Sequence, residues 1–232
     1  MGPIKSCSFR NRIVRAFVRE NIGFPGSLLC FCFAVAAAAA EPAAQDEAAF
    51  VPLFDGKTLN GWEGDTQLWK AEGGMIVGDS PGIKRNEFLA TKKRYRDFEL
   101  RLEFRLRKGE GNSGVQFRSQ RVADSSEVSG YQADIGEKYW GCLYDESRRN
   151  KVLVQSPPEL EAKLRKDDWN SYVIRAQGDH IVLTVNGVTT VDYRETDDAI
   201  AREGIIALQV HSGGPLRVEF RSLRIRELAK DR

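Results

Sequence analysis

The sequence predicts an all-β fold, a β-sandwich or jelly roll built from two antiparallel sheets. Apolar and charged residues alternate with period two over long stretches, ten or more short segments of this kind are separated by Gly-rich turns, and helical patterns are scarce. The composition, 41% hydrophobic and 29% charged, is that of a globular protein. It excludes long disordered, collagen-like and coiled-coil chains.

The first forty residues have the pattern of an export signal. Arg10 to Arg19 form a positive region, and an apolar run from Phe24 to Ala40 ends in three alanines. We predict that residues 1–40 are a signal peptide and that the mature chain begins near Glu41 or Gln45, in the periplasm or outside the cell. An uncleaved membrane anchor is the alternative, because the run reaches the short limit for crossing a bilayer.

The rest of the chain is predicted to be a linker, residues 41–49, and a single domain, residues 50–232. Without the five basic residues and one acid of the first forty, the net charge changes from +2 to −2. No basic stripe indicates a nucleic-acid surface, and no membrane insertion is expected after cleavage. Cys142 is the one cysteine beyond the first forty residues, so no intrachain disulfide is predicted. The sequence does not indicate an oligomeric state.

Strands follow from the alternation in chain order. Two segments, 69–72 and 75–77, flank Gly73-Gly74 and predict a hairpin. From Phe98 to Leu106, five apolar side chains face one side and charges face the other, as in an antiparallel sheet with one solvated face. A further strand is predicted over residues 169–176.

The second half of the chain continues the pattern. Asn186-Gly187 between apolar runs favours a type I′ hairpin turn, because both residues tolerate positive φ. Strands are predicted at 205–210 and 216–225, and the apolar phase shifts between Phe220 and Leu223, which indicates a bulge. A short helix is predicted over 158–166. Residues 136–150 lack a period and are interpreted as a long functional loop.

Polar side chains share a face on three of the predicted segments, 112–118, 131–135 and 206–211. Amides and arginine offer the donors and acceptors that sugar hydroxyls require. In that alternation the residues opposite the apolar face are Gln116, Arg118, Gln132, Asp134, Gln209 and His211.

Each of these residues has a structural alternative. Arg118 and Asp134 would serve equally as an ion pair, and Gln132 and Gln209 as solvated strand residues. His211 precedes a Ser-Gly-Gly-Pro turn at a strand end, where sites often lie.

The predicted loop supplies further candidates for sugar binding. Trp140 would stack on a sugar ring, or else anchor the loop by being buried. Tyr144, Asp145, Glu146 and Arg149 lie in a polar stretch that would close over a ligand, with a solvated loop as the alternative.

The same segments resemble the 3-keto-disaccharide hydrolase domain family. The resemblance covers roughly residues 50–228, and its motifs occur in the expected order. They are Leu53-Phe54-Asp55-Gly56-Lys57-Thr58-Leu59-Asn60-Gly61-Trp62, Phe98-Glu99-Leu100 to Phe104, Asn112-Ser113-Gly114, Gly130-Tyr131-Gln132, Trp169-Asn170, Asn186-Gly187 and Leu208-Gln209-Val210-His211.

The resemblance implies a concanavalin A-like lectin/glucanase sandwich, export and sugar chemistry. Many members read Gly-Tyr-Glu-x-Gln where this chain reads Gly130-Tyr131-Gln132-Ala133-Asp134, so the acid lies two positions later. Glucanases of this fold carry Glu-x-Asp-x-x-Glu on one strand, and here Gln132 replaces the first acid. An amide cannot act as the nucleophile, which weakens an ordinary two-carboxylate hydrolase.

Cleavage of a 3-keto-glycoside needs different groups, because the ketone acidifies the proton on C2. A base removes that proton, the C1–O bond breaks by elimination, and water adds back. The hypothesis makes His211 the base, since its pKa suits the task, and Asp134 its orienting partner or the acid. Arg118 with Gln132 would stabilise the enolate.

Two alternatives remain open at this point. A divalent metal ion held by His211 and Asp134 would replace Arg118 as the electrophile; no other cofactor is predicted. The partner is a saccharide in either case, and a carbohydrate-binding module without turnover, or a surface protein that only mediates contacts, would use the same fold.

Overall fold

The computed structural model describes Glu47 and residues 49–229, which form fifteen strands in two antiparallel sheets. The predicted all-β class is confirmed. The predicted signal peptide and most of the predicted linker lie outside the described residues. In chain order the strands are β1 (Val51–Pro52), β2 (Trp62–Glu63), β3 (Trp69–Glu72), β4 (Met75–Ser80), β5 (Glu87–Thr91), β6 (Phe98–Leu106), β7 (Asn112–Arg121), β8 (Val128–Gly136), β9 (Leu143–Glu146), β10 (Lys151–Val154), β11 (Asn170–Gln177), β12 (His180–Val185), β13 (Val188–Arg194), β14 (Ile205–Val210) and β15 (Leu216–Glu227).

The two sheets have long crossover connections. The eight-stranded sheet runs β13-β12-β11-β6-β15-β4-β3, with β1 paired to β15. The seven-stranded sheet runs β10-β9-β8-β7-β14-β5-β2. Strands that are distant in sequence, such as β6 and β15, therefore become neighbours.

Both predicted hairpins are confirmed. Gly73 and Gly74 join β3 to β4 with φ of 59° and 79°. Asn186 and Gly187 join β12 to β13 with φ of 48° and 81°, the left-handed pair that a type I′ turn requires. The predicted bulge in β15 is confirmed as well, since its register with β6 shifts between Arg221 and Arg224.

Two local predictions are wrong. Of the helix expected over 158–166, only a 3₁₀ turn at Pro158–Leu160 forms. The segment expected to be a loop over 136–150 contains β9, whose four residues pair with both β8 and β10. The sequence of β9 does not show a clear alternation, because the strand is short and one of its two buried side chains is a charged residue, Asp145.

The core lies between the sheets. Phe98 of β6 meets Phe117 of β7 edge to face, with ring centroids 6.3 Å apart, and both side chains are fully buried. Cys142 is a free, buried thiol. The part of the chain that the structure describes contains no helix long and apolar enough to cross a membrane.

The outer face of the eight-stranded sheet is a ladder of ion pairs. Arg105 of β6 binds Glu219 of β15 with 2.6 Å between Nε and Oε2. Arg221 binds Glu103 with 2.8 Å between Nε and Oε2. Opposite charges thus face each other across neighbouring strands, which is the arrangement that cross-strand pairing favours on a solvated face.

Candidate functional site

A hollow of about 270 Å³ opens on the outer face of the seven-stranded sheet. Carboxyl groups, amides, two tyrosines and one imidazole surround it. The residues that line it are Asn86, Asn112, Gln132, Asp134, Glu137, Tyr139, Tyr144, Glu146 and His211.

Strand register brings the central groups of the hollow onto one face. Asp134 of β8 lies opposite Gly114 of β7, and Gln132 lies between Gln116 of β7 and Tyr144 of β9. Because side chains alternate along a strand, the intervening Ala133 and Ile135 enter the core instead. His211 follows the last residue of β14, at the same end of the sheet.

The Asn-Ser-Gly sequence at the start of β7 has a physical explanation. Asn112 donates from Nδ2 to Asp134 Oδ1 at 2.8 Å, and Ser113 donates from Oγ to the Gln209 carbonyl at 2.7 Å, which ties β7 to β14. A Cβ on Gly114 would lie 2.6 Å from Cγ and Cδ of Gln132. A side chain at position 114 would therefore displace Gln132 from its place across the strand.

Asp134 is buried and accepts three hydrogen bonds. Besides the bond from Asn112, it accepts one from the backbone N–H of Ile135 at 3.0 Å and one from Gln132 Nε2 at 3.2 Å. These bonds favour the carboxylate, but burial outweighs them and raises the pKa of Asp134 to about 7, with a further contribution from the charge of Glu146. At neutral pH this group can both donate and accept a proton.

Glu146 is a second carboxyl group of the hollow with an altered pKa. Burial raises its pKa to about 7, and repulsion from Glu127 and Asp145 acts in the same direction. Two acids that titrate near neutral pH therefore line one small hollow, a combination typical of sites that transfer protons.

The imidazole of His211 presents one nitrogen for chemistry. Nδ1 lies 2.7 Å from the carbonyl oxygen of Ser212. A carbonyl only accepts, so Nδ1 carries the hydrogen and, in the neutral ring, Nε2 holds the lone pair. The half-buried ring lines the hollow. A neutral His211 in this tautomer is fit to accept a proton.

Two tyrosines complete the wall. Tyr139 and Tyr144 meet edge to face with ring centroids 6.3 Å apart. Burial and the charge of Glu146 raise the pKa of Tyr144, so its hydroxyl stays protonated at neutral pH. It remains available as a hydrogen-bond donor to a bound molecule.

The prediction that Arg118 points into the hollow is wrong. A bulge between Phe117 and Gln120 breaks the alternation of β7, and Arg118 itself has φ of 48°. Its guanidinium is buried elsewhere, donating to Asp97 Oδ1 at 3.0 Å and to the carbonyls of Arg96 and Gly178 at 2.8 Å each. Arg118 is part of an ion pair, as the structural alternative held, but its partner is Asp97 rather than Asp134.

Asp145 and Arg149 lie on the opposite side of the seven-stranded sheet. Asp145 pairs in register with Tyr131, whose side chain enters the core. Arg149 binds both Asp145 and Glu195, and the latter contact measures 2.7 Å between Nη2 and Oε2. Because β9 is a strand rather than a loop, its alternate residues cannot close over a single ligand. Tyr144 and Glu146 face the hollow, whereas Asp145 does not.

Three other predicted contacts are buried out of reach. Trp140 stacks on Phe104 with centroids 6.2 Å apart, so it anchors the chain in the core, as its alternative held. Gln116 and Gln209 are on the predicted face of the sheet but have no exposed surface. Both amide atoms of Gln209 lack a hydrogen-bond partner among the described residues.

The structure also adds residues that sequence reasoning missed. Asn112 belongs to the Asn-Ser-Gly motif and lies two residues before Gly114, so its phase in β7 could have identified it. Glu137 follows β8 directly. Asn86 precedes β5, accepts a hydrogen bond from the backbone N–H of Ser212 at 2.9 Å and carries no recognisable signal in the sequence.

The described residues offer a poor set of metal ligands. They contain no group of three or more His, Cys, Asp or Glu side chains placed to hold an ion. His211 and Asp134 supply two donors, whereas catalytic zinc sites use three protein ligands.

The comparison that decides the family covers most of the described chain. Residues 49–226 match the 3-keto-alpha-glucoside-1,2-lyase-like domain. The chain belongs to this family. Membership places it among carbohydrate-active domains and confirms the resemblance found in the sequence.

One curated relative supports the same grouping. A 3-keto-disaccharide hydrolase from Bacteroides thetaiotaomicron is 30% identical over 133 residues, which are 53% of this chain and 43% of that protein. The match thus spans less than half of the relative's length.

Solved structures show the shared fold. A protein provisionally named a glycosyl hydrolase, from Parabacteroides distasonis, superimposes with a TM-score of 0.61 at 18% identity, covering 80% of this chain and 97% of the other. The carbohydrate-binding module CBM66 from Bacillus subtilis gives 0.55 at 18% identity, over 72% and 96%. At these identities the likeness concerns architecture alone.

Proposed function

We propose that this domain is an enzyme that cleaves the glycosidic bond of 3-keto-glycosides by removing the C2 proton, eliminating the C1 substituent and adding water. The observation that carries the proposal is the hollow itself. It combines an imidazole whose Nε2 can accept a proton with a carboxyl group whose pKa is raised to about 7. Family membership supports the choice of a 3-keto sugar.

In the elimination step, His211 and Asp134 each transfer one proton. Nε2 of His211 takes the proton from C2, and the electrons of the C–H bond form the enolate of the C3 ketone. The enolate then expels the oxygen on C1, forming the C1–C2 double bond and restoring the C3 carbonyl. Asp134 in its protonated form gives its proton to the departing oxygen. A positioned base or acid contributes roughly 10²- to 10⁴-fold to such a step.

Hydration completes a net hydrolysis. Water adds its hydroxyl to C1 and a proton returns to C2, so that a free 3-keto sugar leaves with the aglycone. The protonated His211 and the ionised Asp134 left by the first step have the charges that the reverse proton transfers require. One imidazole and one carboxyl group therefore serve both halves of the reaction.

The enolate needs a hydrogen-bond donor, and Arg118 cannot provide it. The Tyr144 hydroxyl lines the hollow, stays protonated and accordingly takes that role in the proposal. Removal of one preorganised donor of this kind costs on the order of 10²- to 10³-fold in rate.

The dimensions of the hollow favour a small substrate. Its volume of about 270 Å³ lies just below the range of roughly 300–1,000 Å³ typical of ligand pockets. It suits one sugar ring with the glycosidic oxygen at its rim, rather than several residues of a polysaccharide chain.

Release of a chromogenic leaving group tests the proposal. Purified protein is mixed with 3-keto-glucosides of both anomers that carry p-nitrophenol, and absorbance is followed with time. We expect turnover by the wild type and a loss of roughly 10²- to 10⁴-fold in His211→Ala. His180→Ala is the matched control, because His180 is bound to Asp192 on the eight-stranded sheet and should leave the rate unchanged.

The alternative is a carbohydrate-binding module, which needs the same polar face but no base. Binding of sugars without release from either 3-keto anomer would support it and reject the enzyme. Turnover that persists in His211→Ala would reject the assignment of the base.

Export is a separate proposal, carried by the charged and apolar pattern of the first forty residues. N-terminal sequencing of secreted protein is expected to begin near Glu41 or Gln45. Retention of residues 1–20 in the exported form would contradict it.

A further inference from the structure

We propose that Gln116 and Ser119, which are buried and do not line the hollow, are positioning residues that hold the Gln132 amide with its NH₂ group toward Asp134. Their importance for catalysis rests on the proposed function, whereas their effect on Asp134 does not. Three hydrogen bonds define this amide relay, the chain of side chains Ser119, Gln116, Gln132 and Asp134.

The hydrogen bonds of the relay run in one direction. Ser119 Oγ lies 2.8 Å from Gln116 Oε1, 2.9 Å from the Phe117 carbonyl oxygen and 3.4 Å from that of Tyr131, and in the relay its one hydrogen is donated to Gln116. Gln116 donates from Nε2 to Gln132 Oε1 at 2.8 Å. Gln132 then donates from Nε2 to Asp134 Oδ2 at 3.2 Å. Each donor end faces an acceptor end, so the relay delivers an N–H to the carboxyl group.

The direction matters because a primary amide has two unlike ends of nearly equal size. A reversed Gln132 would place Oε1 against a carboxylate oxygen and Nε2 against the NH₂ of Gln116. An acceptor would then face an acceptor and a donor would face a donor. Both hydrogen bonds would be lost, and leaving buried polar groups without partners costs folding free energy. When Ser119 donates to Gln116, Gln132 retains the orientation that stabilises ionised Asp134.

Two glycines make room for the relay. A Cβ on Gly114 would lie 2.6 Å from Gln132 Cδ, and a Cβ on Gly130 would lie 2.2 Å from Ser119 Oγ. Without these glycines there would be no room for Gln132 and Ser119 at their places in the relay. The bulge of β7 contributes as well, because it brings Ser119 toward Gln116 where the strand leaves its regular register.

Other titratable groups surround Asp134, and they are the same in every variant of the relay. They lie at the hollow and on the core side, and they take no part in the relay. They are Glu137, Glu146, His211, Tyr139, Tyr144, Tyr172 and Cys142.

A double-mutant cycle measured by NMR tests the relay. The carboxyl carbon of Asp134, identified by its loss in Asp134→Asn, is titrated in the wild type, Gln132→Met, Gln116→Met and the double variant. We expect each single variant to move the pKa of Asp134 upward by about one pH unit, because a hydrogen bond to the carboxylate is lost. The double variant should move it no further, because both substitutions remove the same bond.

Two further variants test whether the pKa shift comes from displacement of Gln132 rather than from substitution on β7 in general. Gly114→Ala displaces Gln132 through a steric contact instead. Residue 114 has no positive φ, so alanine does not strain the backbone there, and the pKa of Asp134 should move in the same direction. Gln120→Met, an exposed position on the same strand, should not move it. Additive shifts in the cycle, or no shift in Gln116→Met when Gln132→Met shows one, would overturn the relay.

The same variants separate this inference from the proposed function. In turnover assays the relay variants should shift the pH profile upward by the amount that NMR records. Absence of turnover in the wild type would reject the proposed reaction, while the NMR cycle would still decide whether the relay exists.

Discussion

The outer faces of the two sheets carry different sets of polar side chains, although the strands of both sheets follow the same period-two alternation. On the eight-stranded sheet, arginines and acids pair across strands, as Arg221 does with Glu103, and the pKa of Glu103 is lowered by that guanidinium. On the seven-stranded sheet, Asp134 is buried among amides, and its pKa is raised to about 7. None of the described residues lining its hollow is a lysine or an arginine.

The comparison teaches what separates a solvated face from a reactive one. A carboxylate next to a cation is stabilised as an ion and serves mainly as a charge. A buried carboxyl group that receives hydrogen bonds only from neutral amides exchanges its proton near neutral pH. Replacing cations by amides therefore converts a structural surface into one suited to proton transfer.

The largest expected difference between the faces is in activity. Asp134→Asn removes the acid of the proposed reaction and should reduce release from a 3-keto-glucoside roughly 10²- to 10⁴-fold. Glu103→Gln, on the other sheet, should leave the rate within about twofold, because surface substitutions distant from the site disturb little. Equal rates in Asp134→Asn and the wild type would remove the functional contrast between the faces.

The Arg118–Asp97 ion pair is buried, whereas the Lys70–Glu72 pair on the eight-stranded sheet is about half exposed. Arg118→Met leaves Asp97 charged and buried, and should lower the free energy of unfolding by about 3–5 kcal/mol. Lys70→Met on the eight-stranded sheet breaks pairs whose side chains are about half exposed, and should cost at most about 1 kcal/mol. Urea unfolding measures both, and similar losses would show that burial does not distinguish the two.

The faces should respond to pH with opposite signs. The folded pKa of Asp134 exceeds its unfolded value of 3.8, so its contribution to stability is complete below pH 4 and is lost as pH rises toward 7. The folded pKa of Glu103 is lowered, so its contribution is present above about pH 4.5 and is lost on acidification.

Urea unfolding of the wild type and Asp134→Asn between pH 4 and 8 measures the first of these effects. The difference between the two proteins should change by up to about 1.4 kcal/mol per pH unit, with the wild type losing stability relative to the variant as pH rises. A constant difference across that range would show that Asp134 does not retain its proton in the fold.

Much of the architecture was predictable because the period-two pattern depends on burial, which repeats along each strand. Phe98 to Leu106 and the Asn186-Gly187 turn formed as expected for that reason. The convergence of Gln132, Asp134 and His211 on one hollow also followed from alternation and order.

The failures occur where a short irregularity changes the phase. A bulge in β7 rotates Arg118 away from the face that alternation assigned to it. The four residues of β9 are too few to show a period, so Asp145 was grouped with Tyr144 and Glu146 despite facing the other way. The relay was hidden because the orientation of an amide depends on neighbours from a different strand.

The central claim is that His211 removes a proton from C2 of a 3-keto-glycoside, and isotope exchange tests it most directly. The substrate is incubated with the protein in D₂O, and the released sugar and the recovered substrate are examined by NMR. The account predicts deuterium at C2 of the released 3-keto sugar, with both release and exchange lost in His211→Ala. Release of sugar that retains its original hydrogen at C2, together with no slowing of release when C2 of the substrate carries deuterium, would show direct hydrolysis and contradict the account.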